Sequence, residues 1–163
     1  MAFTLKKRRH ALRAPCTRPV RVRQGEAERS GRGIEVGVGG MSLWLHPVLP
    51  AGQVATLIFS LPNSLRPITA MAEVVWSTPA AGERKSGRMG VRFVALPRED
   101  REEIRAYVNR LAKHYRDLHI LLAMNQWKMD QIRELTRRAH LESYRDIKDL
   151  KDRVRRAMDG FRL

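Results

Sequence analysis

Residues 6 to 40 concentrate the groups whose types and spacing could do chemistry. A basic run, Lys6-Lys7-Arg8-Arg9-His10-Ala11-Leu12-Arg13, opens the stretch. A glycine-dense segment, Gly31-Arg32-Gly33-Ile34-Glu35-Val36-Gly37-Val38-Gly39-Gly40, closes it. Between them Pro19-Val20-Arg21-Val22-Arg23 alternates apolar and cationic residues. A basic arm, a strand and a glycine-rich connection can set guanidinium groups over a tight backbone turn. That arrangement suits a phosphodiester. Arginine forks two parallel N–H bonds onto phosphate oxygens, and glycine lets a backbone come close.

Elements must position those groups, and the sequence marks them by period. Residues 1 to 17 lack apolar periodicity and read as an exposed arm. From Pro19 to Phe93 the pattern is β. Val20 and Val22, then Ile34, Val36 and Val38, alternate with polar or small residues. Met41 to Val48, Val54 to Leu61, Ile68 to Trp76 and Met89 to Val94 read as further strands. Pro50-Ala51-Gly52 and the polar run Pro79 to Gly87 read as turns. Trp44 and Trp76 read as barrel core. Gly39-Gly40 lets two strands fold back, a role compatible with close approach of a ligand.

The period changes at Leu96-Pro97-Arg98-Glu99-Asp100, an early proline followed by acidic residues, which predicts a helix start. Ile104, Val108, Leu111, Tyr115, Leu118, Leu122, Asn125, Met129 and Ile132 then recur at alternating spacings of four and three, a heptad seam. Asn125 either fixes the register of a coiled coil or marks a break into a hairpin. Ser143-Tyr144-Arg145-Asp146 resembles a capping box for a last helix, with Asp159-Gly160 as its stop.

Bulk properties narrow the partners. The 163 residues fit one domain with some extension, and 43% hydrophobic content argues for a folded chain. A net charge of +15 favours anionic partners: nucleic acid, nucleotide, anionic lipid or acidic protein. A lone cysteine, Cys16, can form neither an internal disulfide nor a cysteine zinc site, and a reducing cytoplasm is the natural reading. The first residues carry no apolar signal-peptide region, and no apolar run reaches the roughly 20 residues of a membrane span. His114 and His119 stand on different faces of a helix and the other histidines are scattered, so no metal site is expected. No nucleophile–base pair stands out, so no enzyme is expected.

Residues 8 to about 110 resemble a PilZ domain, the bacterial receptor module for cyclic di-GMP. The family signature is Arg-x-x-x-Arg on an arm, followed by Asp/Asn-x-Ser-x-x-Gly on a barrel strand. Arg9-His10-Ala11-Leu12-Arg13 matches the first motif, with Arg8 in front. Glu35-Val36-Gly37-Val38-Gly39-Gly40 stands in the place of the second, with Glu35 for the acid, Gly37 for the serine and the final glycine kept at Gly40. Ala72-Glu73-Val74-Val75-Trp76, Gly90-Val91-Arg92-Phe93 and Leu96-Pro97-Arg98-Glu99-Asp100-Arg101 resemble the family's later strands and the entry to its closing helix.

The resemblance implies cyclic di-GMP as ligand, held by Arg8, Arg9, Arg13, Glu35, Gly37, Gly39 and Gly40. Arg9 and Arg13 would take phosphates and guanine Hoogsteen edges, and Glu35 would accept from guanine N–H groups. Without the serine hydroxyl one hydrogen bond is lost, worth about 0.5–1.5 kcal/mol, or up to about tenfold in affinity.

The resulting expectation is a PilZ-type β-barrel of about six antiparallel strands with a mainly helical C-terminal extension. Residues 1–17 are the arm, 18–97 the barrel and 98–163 the extension, with a heptad helix near 98–135 and a short helix near 143–159. The expected function is cytoplasmic second-messenger reception, passed to an unidentified protein partner. Alternatives are a ligand-free adaptor, self-assembly as a homo-oligomer through residues 104–132, and, ranked lower, a nucleic-acid-binding protein.

Overall fold

The computed structural model describes residues 12–62, 64–82, 86–124 and 128–161, the last two without their side chains. The described residues form seven strands: β1 (Arg13–Pro15), β2 (Pro19–Gln24), β3 (Ala27–Gly37), β4 (Gly40–Leu45), β5 (Val54–Phe59), β6 (Ile68–Thr78) and β7 (Gly87–Ala95). Three helices follow: α1 (Arg98–Ala123), α2 (Met129–Arg138) and α3 (Ile147–Phe161).

Strands β3, β2, β5, β6, β7 and β4 pair antiparallel in that order, and β4 pairs back onto β3, closing a six-stranded barrel. Closure removes the unpaired edges an open sheet would present. Alternation explains the core. Val20 and Val22 of β2 point inward while Arg21 and Arg23 point out. Leu43 and Leu45 of β4, Leu57 of β5, Ile68 and Ala70 of β6, and Met89 and Val91 of β7 fill the interior. Phe59 and Phe93 stack there with centroids 6.2 Å apart.

The seventh strand corrects the arm reading. Arg13–Pro15 is not exposed arm but strand, paired to β3 with Arg13 opposite Gly37 and Pro15 opposite Glu35. Ala14 and Cys16 are fully buried. β2 occupies the other half of the same edge, from Pro19–Arg32 to Gln24–Ala27. Bonds from the Cys16 N–H to the Ile34 carbonyl (3.0 Å) and from the Gly33 N–H to the Arg18 carbonyl (2.9 Å) bridge the two halves. Residues 13 to 24 therefore run along β3 almost without a gap.

The tryptophans also differ from expectation. Trp44 is 42% exposed and Trp76 37%. Leu43 and Leu45 take the inward positions of β4, so Trp44 between them must face out. A register shift between Val74 and Trp76 turns Trp76 outward too, and its indole lies over Gly90. Arg88 stacks over Trp44 at 5.4 Å from the ring centroid.

Helix α1 begins after Pro97 with Glu99 and Asp100 in its first turn. Asp100, only 8% exposed at its side chain, pairs with Arg66 at 2.7 Å, and Arg66 also meets Glu103. These pairs fix the β5–β6 connection to the helix. The heptad seam does not face solvent. Ile104, Val108, Leu111, Tyr115, Leu118 and Leu122 are all buried. They join one core with Ile132 of α2 and Leu150 and Val154 of α3. α1 ends at Ala123, α2 starts at Met129, and both shorter helices pack back on α1. One continuous seam helix to residue 135 is thus replaced by a folded-back arrangement, and the stripe expected to drive self-assembly is covered by the chain itself. Asn125 lies outside the described residues. Met129 sits off the seam, 42% exposed.

The cap of α3 is displaced from the expected box. The Asp149 N–H donates to the Asp146 carboxylate (2.8 Å), and the Arg145 N–H donates to the Asp149 carboxylate (3.0 Å). Asp146, not Ser143, is the capping residue, and the helix runs past Asp159-Gly160 to Phe161. No described helix is long and apolar enough to cross a membrane.

Because the seam is intramolecular core, Leu118→Ala is expected to cost about 2–5 kcal/mol. Ile120→Ala, on the exposed face, is expected to stay within about 0.5 kcal/mol. Urea unfolding of the two variants checks the pair. Equal small losses would mean that the seam is not core.

Candidate functional site

Arg8 and Arg9 lie outside the described residues. The other five residues singled out by the sequence meet at the junction of β1, β3 and β4. Arg13 leaves β1 directly across from Gly37, and its guanidinium Nη1 donates to Glu35 Oε1 at 3.2 Å. The two side chains are 24% and 32% exposed, so the pair is partly shielded yet reachable from solvent. Glu35 makes a further interaction besides this one.

Gly37 and Gly40 form the closing pair of the β3–β4 hairpin, with Val38 and Gly39 at its tip. The tip is held from two sides. The Phe93 N–H donates to the Gly39 carbonyl (2.9 Å), and Arg101 Nη1 of α1 donates to the Val38 carbonyl (2.8 Å). Gly40 is required by packing, since a Cβ there would stand 2.0 Å from the Val91 carbonyl oxygen. Gly39 is not required that way. A Cβ on it would meet nothing within 4 Å.

Gly37 has a physical reason that the sequence did not reveal. A Cβ at this position would lie 2.7 Å from the Leu12 carbonyl oxygen and 3.0 Å from Arg13 Cγ. The missing side chain makes room for β1. The same vacancy brings the Arg13 stem over β3, where its guanidinium reaches the carboxylate of Glu35.

Sequence reasoning missed three residues here. Tyr107 of α1 donates its hydroxyl to the Pro15 carbonyl, tying the end of β1 to the helix. Burial pushes the Tyr107 phenol well above its ordinary range, keeping it a donor. Arg101 holds the hairpin tip. Ser42 stands opposite Glu35 in register, 3% exposed, a hydroxyl residue beside the carboxylate on the next strand. Partners separated by 63 and 92 positions leave no local signal. Beneath the arm root Cys16 is buried, and desolvation pushes its thiol up despite the opposing effects of the Arg18 backbone and charge. Among the described residues no three potential metal ligands cluster.

The described architecture is a closed six-stranded barrel with an extra strand, a helix braced on a glycine hairpin and an arginine laid beside that hairpin. The chain matches the PilZ domain family over residues 7–110 and belongs to that family, a family of cyclic di-GMP receptors. Comparison with curated proteins gives no match. Among solved structures, the chain resembles the Bacillus subtilis inhibitor of motility MotI (DgrA), with a TM-score of 0.55 and 21% identity, over 68% of this chain and 56% of that one. It also resembles the PilZ domain of Escherichia coli YcgR solved with c-di-GMP, with a TM-score of 0.53 and 13% identity, over 68% of this chain and 96% of that one. Full YcgR in complex with c-di-GMP matches with a TM-score of 0.53 and 16% identity, over 68% of this chain and 48% of that chain. At these identities the likeness is one of fold. The chain spans about half the length of MotI and of full YcgR.

Since the docking of β1 depends on a bare α-carbon, Gly37→Ser is expected to push β1 away from β3. Overpacking of this kind costs about 1–3 kcal/mol. Hydrogen exchange should show faster exchange at Cys16 and at the β1 amides bonded to β3, with the barrel interior unchanged. Unaltered protection at those amides would contradict the packing argument.

Proposed function

We propose that this chain is a cyclic di-GMP receptor that binds the dinucleotide at the junction of arm and barrel and passes the change to a partner protein. The observation that carries the reading is Arg13 set over Gly37 within hydrogen-bond reach of Glu35. It sets Arg13 of the first motif beside Glu35 and Gly37, the residues that stand in the place of the second motif's acid and serine. Arg8, Arg9 and Arg13 take the phosphates and guanine edges, because a planar guanidinium can fork onto a phosphate and also stack on a base. Glu35 accepts from guanine N–H groups. Gly39, where a Cβ would meet nothing within 4 Å, leaves the hairpin tip bare for close approach, and Gly37 and Gly40 let β1 and β7 pack close enough to hold that tip.

The Arg13–Glu35 pair is part of the mechanism. Ligand phosphate competes with Glu35 for Arg13, and guanine competes with Arg13 for Glu35. Binding therefore exchanges an internal contact for two external ones at the root of β1. Tyr107 and the Pro15 carbonyl pass that exchange to α1, and the helical extension presents it to the partner. The chain acts as a cytoplasmic adaptor rather than an enzyme.

A second reading, a PilZ adaptor without ligand, draws support from the same pair. Arg13 and Glu35 already satisfy one another, and the serine hydroxyl is gone. Calorimetric titration with cyclic di-GMP separates the two. The receptor reading expects binding near 10 μM or tighter, on the order of −7 kcal/mol, that is abolished in the Arg9→Ala, Arg13→Ala double variant. Glu35→Asp, which shortens the acid and loosens the contact that orients Arg13, is expected to weaken affinity by up to about tenfold. No heat in the unaltered chain at roughly tenfold higher concentration would select the ligand-free adaptor.

A further inference from the structure

A second cleft lies away from the hairpin, between α1, the end of α2 and the β5–β6 connection, with a volume of about 570 Å3. Its walls are mostly polar over a small apolar floor. Tyr107 and Leu111, both buried, line it together with Leu61 and Pro62, giving an apolar floor. The Tyr107 hydroxyl is engaged by Pro15, so the ring alone serves the cleft.

Over that floor stand cations. Arg110 enters no ion pair with a described residue. Arg138 binds Glu134 through Nε (2.7 Å), which leaves its two terminal nitrogens unengaged by that bond. Arg137 is forked on the same carboxylate and faces Glu142 as well. Glu103, the other acid lining the cleft, is held by Arg66 and Ser64. The wall formed by Arg110 and Arg138 is thus positive and incompletely neutralised.

Two imidazoles complete the rim. His140 takes φ 55°, a left-handed conformation that histidine, asparagine and aspartate adopt more readily than other residues with a side chain, at the turn that ends α2. Bonds from the His140 N–H to the Arg137 carbonyl (3.2 Å) and from the Leu141 N–H to the Thr136 carbonyl (2.8 Å) hold that turn. His114 sits on α1 one turn from Arg110. Its pKa is depressed, first by burial and then by the charges of Arg138, Lys113 and Arg110, against the opposing charge of Asp117. The imidazole thus responds to burial first and to the surrounding charges second.

We infer that this cleft is a second ligand site, one that takes a small phosphorylated organic anion, its phosphate between Arg110 and Arg138 and its organic body on Tyr107 and Leu111. The volume falls in the range of small-molecule sites, about 300–1,000 Å3. Guanidinium pairs favour phosphate through parallel N–H bonds. The site uses none of Arg13, Glu35 or the hairpin glycines, so it stands independently of cyclic di-GMP binding.

Adenosine 5′-monophosphate and inorganic phosphate are the probes. The His114 ring resonance of the full chain is followed by NMR through pH, with either probe or with sodium chloride at equal ionic strength. A bound phosphate is expected to raise the His114 midpoint by roughly half a pH unit beyond the effect of chloride, because an opposite charge nearby favours the protonated form. Arg13→Ala is expected to keep the response, separating this cleft from the hairpin site. Arg110→Gln, which breaks no ion pair among the described residues, is expected to weaken it at least several-fold, and Arg110→Gln with Arg138→Gln to abolish it. An identical shift with chloride, or an undiminished response in the folded Arg110→Gln chain, overturns the proposal.

Discussion

The approach of β1 to β3 is the constraint on which the rest of the site depends. Arg13 and Gly37 face one another across a strand pair that leaves no room for a Cβ on residue 37. Everything nearby follows from that distance. Ala14 and Cys16 can be buried only if β1 lies flat on the barrel. The Cys16 N–H and Arg18 carbonyl can continue the ladder into β2 only from that position. Arg13 then points across β3 toward Glu35 instead of out into solvent. Arg13, which composition alone assigns to an exposed arm, thereby acquires a fixed place on β3.

The helix side obeys the same geometry. Pro15 presents its carbonyl to Tyr107, and the hairpin tip presents the Val38 carbonyl to Arg101. These are two long-range bonds from one helix to the two backbone segments that flank the Arg13–Glu35 pair. Each carbonyl would otherwise end a strand without a backbone partner, at a cost of about 1–3 kcal/mol where it is buried. The seam residues of α1 add the burial energy that makes this bracing rigid. Because α2 and α3 cover the seam, the helix is anchored on both faces, and a change at the root of β1 meets a stiff element.

Period and chemistry account for what the sequence revealed. Val20 and Val22 alternate cleanly, Ile104 to Leu122 keep helical spacing, and both signals come from residues that repeat along one element. β1 was hidden because three residues are too few to show alternation, and its charge resembled that of a tail. Trp44 misled because size and hydrophobicity suggest core, while Leu43 and Leu45 on either side had already taken the inward positions. The reach of Asp146 to Asp149 shifted a cap by three positions that composition could not resolve. Tyr107, Arg101 and the second cleft depend on pairings made only when α1 crosses the barrel.

Glu35 and Gly37 look like two separate losses when read against the family motif, but the geometry makes them one adaptation. Removing the serine side chain opens the space through which β1 and the stem of Arg13 pass. Lengthening the acid by one methylene extends its oxygens toward the guanidinium that has just arrived, and the two meet at 3.2 Å. A serine at 37 would hold β1 off and leave a longer acid without its arginine. A glycine at 37 with a shorter acid would seat β1 but weaken the contact that orients Arg13. The pair therefore preorganises one arginine beside the hairpin at the expense of one hydroxyl. Preorganisation reduces the ordering entropy of a long side chain, up to about 2 kcal/mol for arginine, which is comparable to the hydrogen bond given up. Departure from the motif would, on this balance, be close to neutral for the binding proposed above, in which a ligand phosphate would replace Glu35 at Arg13.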